Sequence, residues 1–255
     1  MVLSGAGWNS VFNVFGVIGI VYSLILVFLL RDAPAGKTTP SAETPVVKVN
    51  FFEAVKGLFR LRSFNLLLIF WGLIGLVGWM IVGWLPTYYK EQFSLSQTVS
   101  GLYATGYLYP VAIVGLLLGG FWADRWSRTN QKGRILVPLI GLAVAAPCVF
   151  AASYTNVLFL AIFFFMVYGL TRMFADTNLM PILCLVADPR YRATGYGILN
   201  FFSTIVGGVG LFAAGVLRDG QINLRTVYQV ASLALVVCVM TLYLLTRQRL
   251  NTEEK

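Results

Sequence analysis

The chain has 255 residues, of which 58% are hydrophobic and 11% charged, with a net charge of +9. A soluble globular domain carries roughly 25% charged residues, so an ordinary soluble fold is excluded. Histidine is absent and the three cysteines, Cys148, Cys184 and Cys238, stand far apart in apolar stretches, which argues against a metal centre or a disulfide framework and leaves the thiols as small apolar groups.

A bilayer core about 30 Å thick is crossed by a helix of roughly 20 apolar residues, and seven blocks of the sequence meet that requirement. The first runs from Trp8 to Leu30 and stops at Arg31 and Asp32. No Lys or Arg precedes Arg31, so it lacks the basic lead of a cleaved signal peptide and is predicted to be a retained span. From Ala33 to Val49 the chain is rich in Pro, Thr, Ser and Lys, the composition of a flexible polar linker. Phe51, Phe52, Val55, Leu58 and Phe59 then repeat at helical spacing, with Glu53, Lys56, Arg60 and Arg62 between them. That pattern predicts an amphipathic helix at the membrane surface. Six further spans are predicted at 64–88, 97–121, 135–152, 156–187, 194–217 and 226–246. The expected organisation is therefore a span within 1–30, a cytoplasmic linker with an amphipathic helix over 31–63, a six-helix bundle over 64–246 and a cytoplasmic tail over 247–255.

Cytoplasmic loops of membrane proteins collect Lys and Arg. With the N-terminus outside, fifteen basic residues fall on the inside and three, Lys90, Arg218 and Arg225, on the outside, Arg172 alone lying within a span. The expected topology has the N-terminus outside and the C-terminus in the cytoplasm, in a bacterial inner or other cell membrane. The same placement explains the positive charge without nucleic acid.

Trp84, Tyr88 and Tyr89 lie near a predicted span end and read as interfacial anchors. The span 97–121 carries Gly115 and Gly119, a small-xxx-small pair that lets helices approach closely or slide, and Pro110, which removes a backbone donor and predicts a kink. In the span 156–187, Tyr168, Arg172 and Asp176 follow one another at four-residue intervals and so share an arc of about 80° on one helix face. A charge at the centre of a membrane helix costs roughly 2.5 to 3.5 kcal/mol, so such groups face a cavity or a partner. Arg172 offers a planar fork for a carboxylate; Asp176 either neutralises it in the absence of an anion, exchanges a proton, or forms a permanent structural ion pair with it. Tyr196, Asn200, Ser203 and Thr204 of the next predicted span repeat at helical spacing and read as helix bridges or sugar contacts. Trp71, Trp79, Tyr103 and Tyr107 are further candidates to line a cavity. No nucleophile with a base, metal cluster or carboxylate pair is recognisable, so neither an enzyme nor a cofactor is expected.

Between the third and fourth spans stands GFWADRWSR, Gly120 to Arg128. It resembles the G-x-L-A-D-R-x-G-R signature of the major facilitator superfamily at Gly120, Ala123, Asp124, Arg125 and Arg128, with Trp122 and Ser127 departing from it. The first block resembles the family's sixth helix and the six later spans its helices seven to twelve. That implies an all-α integral membrane protein of seven transmembrane helices, the last six forming one half of the family's fold. It also implies a fragment lacking five helices, whose N-terminal half is supplied in cis or in trans.

The resemblance implies transport of a small solute by alternating access, with a proton or sodium ion as a candidate coupling partner. A weaker resemblance, through WLPTYYKEQFSLS, the run from Arg172 to Pro181 and RATGYG, is to anion:cation symporters of sugar acids and organic anions. On this reading Tyr168, Arg172, Asp176, Asn200, Trp79, Tyr103 and Tyr107 form the substrate site. Gly120, Asp124, Arg125, Arg128 and Arg192 form a conformational latch in which Asp124 is expected to pair with Arg192. The alternatives are a split or truncated half with no activity alone, or a membrane protein that does not transport.

Overall fold

A computed structural model describes residues 8–30, 50–130 and 132–253, so the linker expected at 33–49 lies outside the described residues. The chain divides after residue 48 into two units. In the first, α1 (Trp8–Leu29) is a 22-residue helix. Its apolar side chains from Val11 to Leu29 are exposed around the whole circumference apart from the partly covered Leu26, as suits a helix solvated by lipid.

The second unit is a helical bundle. Asn50 caps the short helix α2 (Phe51–Arg60) by accepting from the Phe52 amide at 3.2 Å. Of the apolar residues predicted to share its face only Leu58 is buried, together with Ala54, while Phe51, Phe52 and Phe59 are exposed like Lys56 and Arg60. An extended Leu61 separates it from α3 (Arg62–Phe93). Then come α4 (Gln97–Gly106), capped by Ser96, α5 (Leu108–Ser127), α6 (Gly133–Tyr154) and α7 (Leu158–Val186). A 3₁₀ turn at Pro189–Tyr191, capped by Asp188, leads to α8 (Arg192–Asp219) and α9 (Leu224–Glu253).

Seven stretches of helix among the described residues are long and apolar enough to cross a membrane, with α4 and α5 together forming one, Gln97–Ser127. The span 97–121 is thus interrupted at one residue, Tyr107, whose backbone stays in the right-handed helical region. Pro110 has no amide to offer the carbonyl of Gly106 four residues earlier, and α4 ends at that glycine. Most helices outrun their apolar blocks by about a turn. The basic residues at one set of helix ends (Arg62, Arg125, Arg134, Arg192, Arg247) mark a basic end of the bundle.

Helix α3 packs on α8 and α9, α5 on α7, and α6 on both α7 and α9. Close approach is made by glycine. A Cβ on Gly115 would lie 2.1 Å from the Leu170 carbonyl oxygen, and one on Gly119 2.8 Å from Phe174 Cα. The pair is thus a contact surface of α5 on α7. On α3, a Cβ on Gly75 would lie 2.7 Å from the Ser203 carbonyl oxygen, and across the interface Gly207 receives Trp79.

Tyr88 and Tyr89 are not interfacial anchors. They continue the buried face of α3 that carries Ile81 and Leu85, so both turn into the bundle, 1% exposed, and cluster with Phe165, Phe93 and, through Tyr88, Tyr228. The Tyr88 hydroxyl donates to the Ala152 carbonyl at 3.0 Å. Trp84 donates to the Leu211 carbonyl of α8 at 3.0 Å, and Arg218, paired with Glu91, stands over its ring.

Candidate functional site

The polar stripe of α7 faces inward. Arg172 and Asp176 form an ion pair at 3.0 Å, with side-chain exposures of 16% and 26%. One helical turn apart on the same face, they partly neutralise each other in an apolar bundle. Among the described residues the buried Arg172 Nε has no hydrogen-bond partner, and neither has the buried Tyr168 hydroxyl. The guanidinium lies against α3 because residue 78 is glycine: a Cβ there would sit 2.6 Å from Nη2.

A cavity of about 510 Å³ opens between α3, α7 and α8. Arg172 and Asp176 line it from α7, Trp71 and Trp79 from α3, and Asn200 and Ser203 from α8. Tyr196 stands edge-on to Trp71 at 5.8 Å between ring centroids. Thr204 donates to the Asn200 carbonyl within its own helix and so bridges no helices through that bond. Asn178 and Thr171 are likewise satisfied by carbonyls of α7, those of Phe174 and Val167.

Of the predicted substrate residues, the fold brings Arg172, Asp176, Asn200 and Trp79 to this one cavity, with Ser203 and Trp71 beside them. Tyr168 is displaced from it, because it is buried one turn further along α7 and lines a second, smaller cavity that it shares with Arg172. Tyr103 and Tyr107 are on neither wall. They sit on α4 and at the α4–α5 break, 5.6 Å apart between ring centroids. Sequence reasoning missed Gly75, Gly78 and Gly83 as cavity residues. Glycine recurring every third residue at 72, 75 and 78 was the available signal.

The signature Gly120–Arg128 is mostly helical: α5 continues through Ser127, so the segment forms its last turns rather than a loop. Ala123 is fully buried, and Trp122 stacks on Trp126 at 10° between ring planes. Asp124 pairs at 3.0 Å with Arg134 in the first turn of α6, not with Arg192 as expected. Arg192 instead donates to the Cys184 and Ala187 carbonyls at the end of α7, at 2.9 and 3.4 Å, a C-terminal cap that occupies its guanidinium locally. The carboxylate thus lies beside a helix N-terminus and an arginine, as the turn chemistry predicts, with a different arginine. Arg125 and Arg128 are exposed.

The family model of the Major Facilitator Superfamily matches residues 1–211 and 75–255. The chain is 25% identical over 233 residues to protein spinster homolog 1 of Xenopus tropicalis, covering 86% of this chain and 44% of that protein. It is 24% identical over 273 residues to a probable L-galactonate transporter of Escherichia coli K12, covering 98% and 57%. The crystal structure of a bacterial homolog of the human lysosomal transporter Spinster, inward-facing and unoccupied, superposes with a TM-score of 0.72 at 22% identity over 96% of this chain and 60% of that one. The chain therefore spans about half the length of the curated relatives it matches. With the matched residues covering the chain end to end and the fold shared with a solved transporter, this multi-pass membrane protein belongs to the Major Facilitator Superfamily.

Proposed function

We propose that the chain forms the substrate-binding half of a secondary transporter for a small organic anion, with Arg172 as the anion-binding group. The observation that carries this reading is the Arg172–Asp176 pair facing a cavity walled by α3, α7 and α8. A planar guanidinium with an unpartnered, buried Nε has donor capacity left for an anionic ligand. Asp176 holds the charge balance when the cavity is empty and yields Arg172 to the incoming anion. Asn200 and Ser203 supply hydrogen bonds from α8, and Trp71 and Trp79 close the α3 side. L-Galactonate, for which one relative is named, is an anion of this kind. Coupling to a proton or sodium ion would act through Asp176.

On this reading the basic end of the bundle lies in the cytoplasm and the N-terminus outside. Alternating access also requires the family's other half, supplied in cis or in trans, since substrate is exchanged between two halves that rock about a shared cavity. The Asp124–Arg134 contact ties α5 to α6 and is the element that would hold one conformation.

The test is uptake into proteoliposomes of radiolabelled L-galactonate and of a neutral sugar, with the chain co-reconstituted with the first five helices of a relative. Uptake of the anion, lost in Arg172→Lys with normal membrane insertion, supports the proposal. Undiminished uptake in that variant would leave the ion pair a purely structural feature.

A further inference from the structure

Arg172 is the common wall of two cavities, and the second differs in kind from the first. It measures about 280 Å³ and lies between α3, α5 and α7. Its apolar wall is Val82, Leu108, Ala112, Ile113, Leu116 and Met173, with Tyr109 beside them, and among the described residues Arg172 is the one charged group lining it. Tyr168, 2% exposed, also lines it, and the Tyr168 hydroxyl and Arg172 Nε are both buried without a partner. An unpaired buried donor is costly, and a ligand acceptor placed against it recovers the loss. The larger cavity, by contrast, carries Asp176, Asn200 and Ser203.

A fully hydroxylated ligand fits the larger cavity alone, because hydroxyls placed against Leu108, Ile113 and Met173, which line only the smaller one, would lose water without gaining partners. An apolar substituent loses nothing there. A dry cavity of about 150 Å³ accepts benzene, so the present volume has room for a phenyl ring or a chain of several carbons.

Resting on the reading of Arg172 as the anion-binding group, we infer that the preferred substrate is an organic anion bearing an apolar alkyl or aryl arm. The anionic group sits on Arg172 and the arm in the α3–α5–α7 cavity. Polar substituents on the other side of the anion point to Asn200 and Ser203. The site thereby prefers such an anion to a sugar acid, whose carbons all carry oxygen and which reaches Arg172 through the larger cavity alone.

Calorimetric titration of the full chain in lipid nanodiscs, with empty nanodiscs as the blank, tests this with acetate, butyrate, hexanoate and D-gluconate. A buried methylene strengthens binding roughly fourfold, so hexanoate is expected to bind on the order of a hundredfold more tightly than acetate, and more tightly than gluconate. Ala112→Phe, which fills the cavity, and Ile113→Gln, which makes its wall polar, are each expected to cut the hexanoate-to-acetate ratio at least tenfold. Circular dichroism confirms the fold of each variant. Chain-length dependence that persists in both variants overturns the inference. Equal binding of acetate and hexanoate, or tighter binding of gluconate, with all binding lost in Arg172→Lys, overturns the apolar arm and leaves the anion site standing. Absence of binding by any of the four overturns both.

Discussion

Substituting Gly115 by Ala tests the helix contact on which the α7 stripe depends. A methyl group there would lie 2.1 Å from the Leu170 carbonyl oxygen and 2.8 Å from the carbon that bears it, about 1.3 Å short of ordinary contact at 3.4 Å. Both partners are backbone, so no rotamer change relieves the overlap and α5 must withdraw from α7. Overpacking of this kind costs roughly 1–3 kcal/mol. The rigid obstacle places this case at the upper end, offset by at most about 1 kcal/mol of improved helix propensity. The expected net loss is about 2 kcal/mol.

Gly101→Ala is chemically identical, but nothing lies within 4 Å of its new methyl, so only the propensity gain remains. The two variants should therefore separate by about 3 kcal/mol in reversible unfolding from detergent micelles, followed by circular dichroism, with the midpoints moving in opposite directions. Equal shifts of the same sign would refute the claim that backbone approach at Gly115 sets the α5–α7 distance.

Asp124→Asn should change stability by less than about 1 kcal/mol, since its pair with Arg134 is exposed; a larger loss in the same unfolding assay would show that the contact is structural. Asp176→Asn should raise the affinity of a small anion severalfold in calorimetric titration, because Arg172 is freed of its competitor, while stability falls as the half-buried guanidinium loses its partner. A stability loss with no gain in affinity would mark the pair as structural. Pro110→Ala restores a donor facing the Gly106 carbonyl and should join α4 and α5 into one continuous helix, visible as amide protection at residues 107–110 in hydrogen exchange; unchanged exchange there would place the cause of the break elsewhere.

Hydropathy made the spans legible because a lipid-crossing helix must be apolar over its whole length. Helix ends were less legible, since beyond the bilayer core no comparable constraint acts. The apolar block of α3 fades at residue 88 although the helix runs to Phe93, and nearness to that apparent end says nothing of the face, which Tyr88 and Tyr89 share with the buried Ile81 and Leu85. The shared face of Arg172 and Asp176 was readable from spacing alone, and both line the α3–α7–α8 cavity. Tyr103 and Tyr107 line neither that cavity nor the one beside it, since aromatic identity by itself carries no direction. The expected Asp124–Arg192 pair failed for a similar reason: sequence specifies that a buried or capping charge needs partners, but Arg192 found two carbonyls eight and five residues behind it, a local solution that span order does not reveal.

The glycines of α3 link the two halves of this reading. Gly75 admits the backbone of α8 at Ser203, and Gly78, one turn on, admits the guanidinium of Arg172 from α7. The same helix face therefore sets both the distance between α3 and α8 and the room left for the charge. A side chain at residue 78 would push Arg172 away from α3; one at residue 75 would push Ser203 away and widen the cavity that Arg172 lines. Because packed helices tolerate little deformation before they shift as units, a displacement of α8 relative to α3 alters the surroundings of Arg172 without any change in α7 itself. An anion bound between Arg172 and the α8 hydrogen-bonding groups would bias that displacement by its unequal affinity for the two arrangements. The geometry thereby offers a direct route from ligand binding to helix movement.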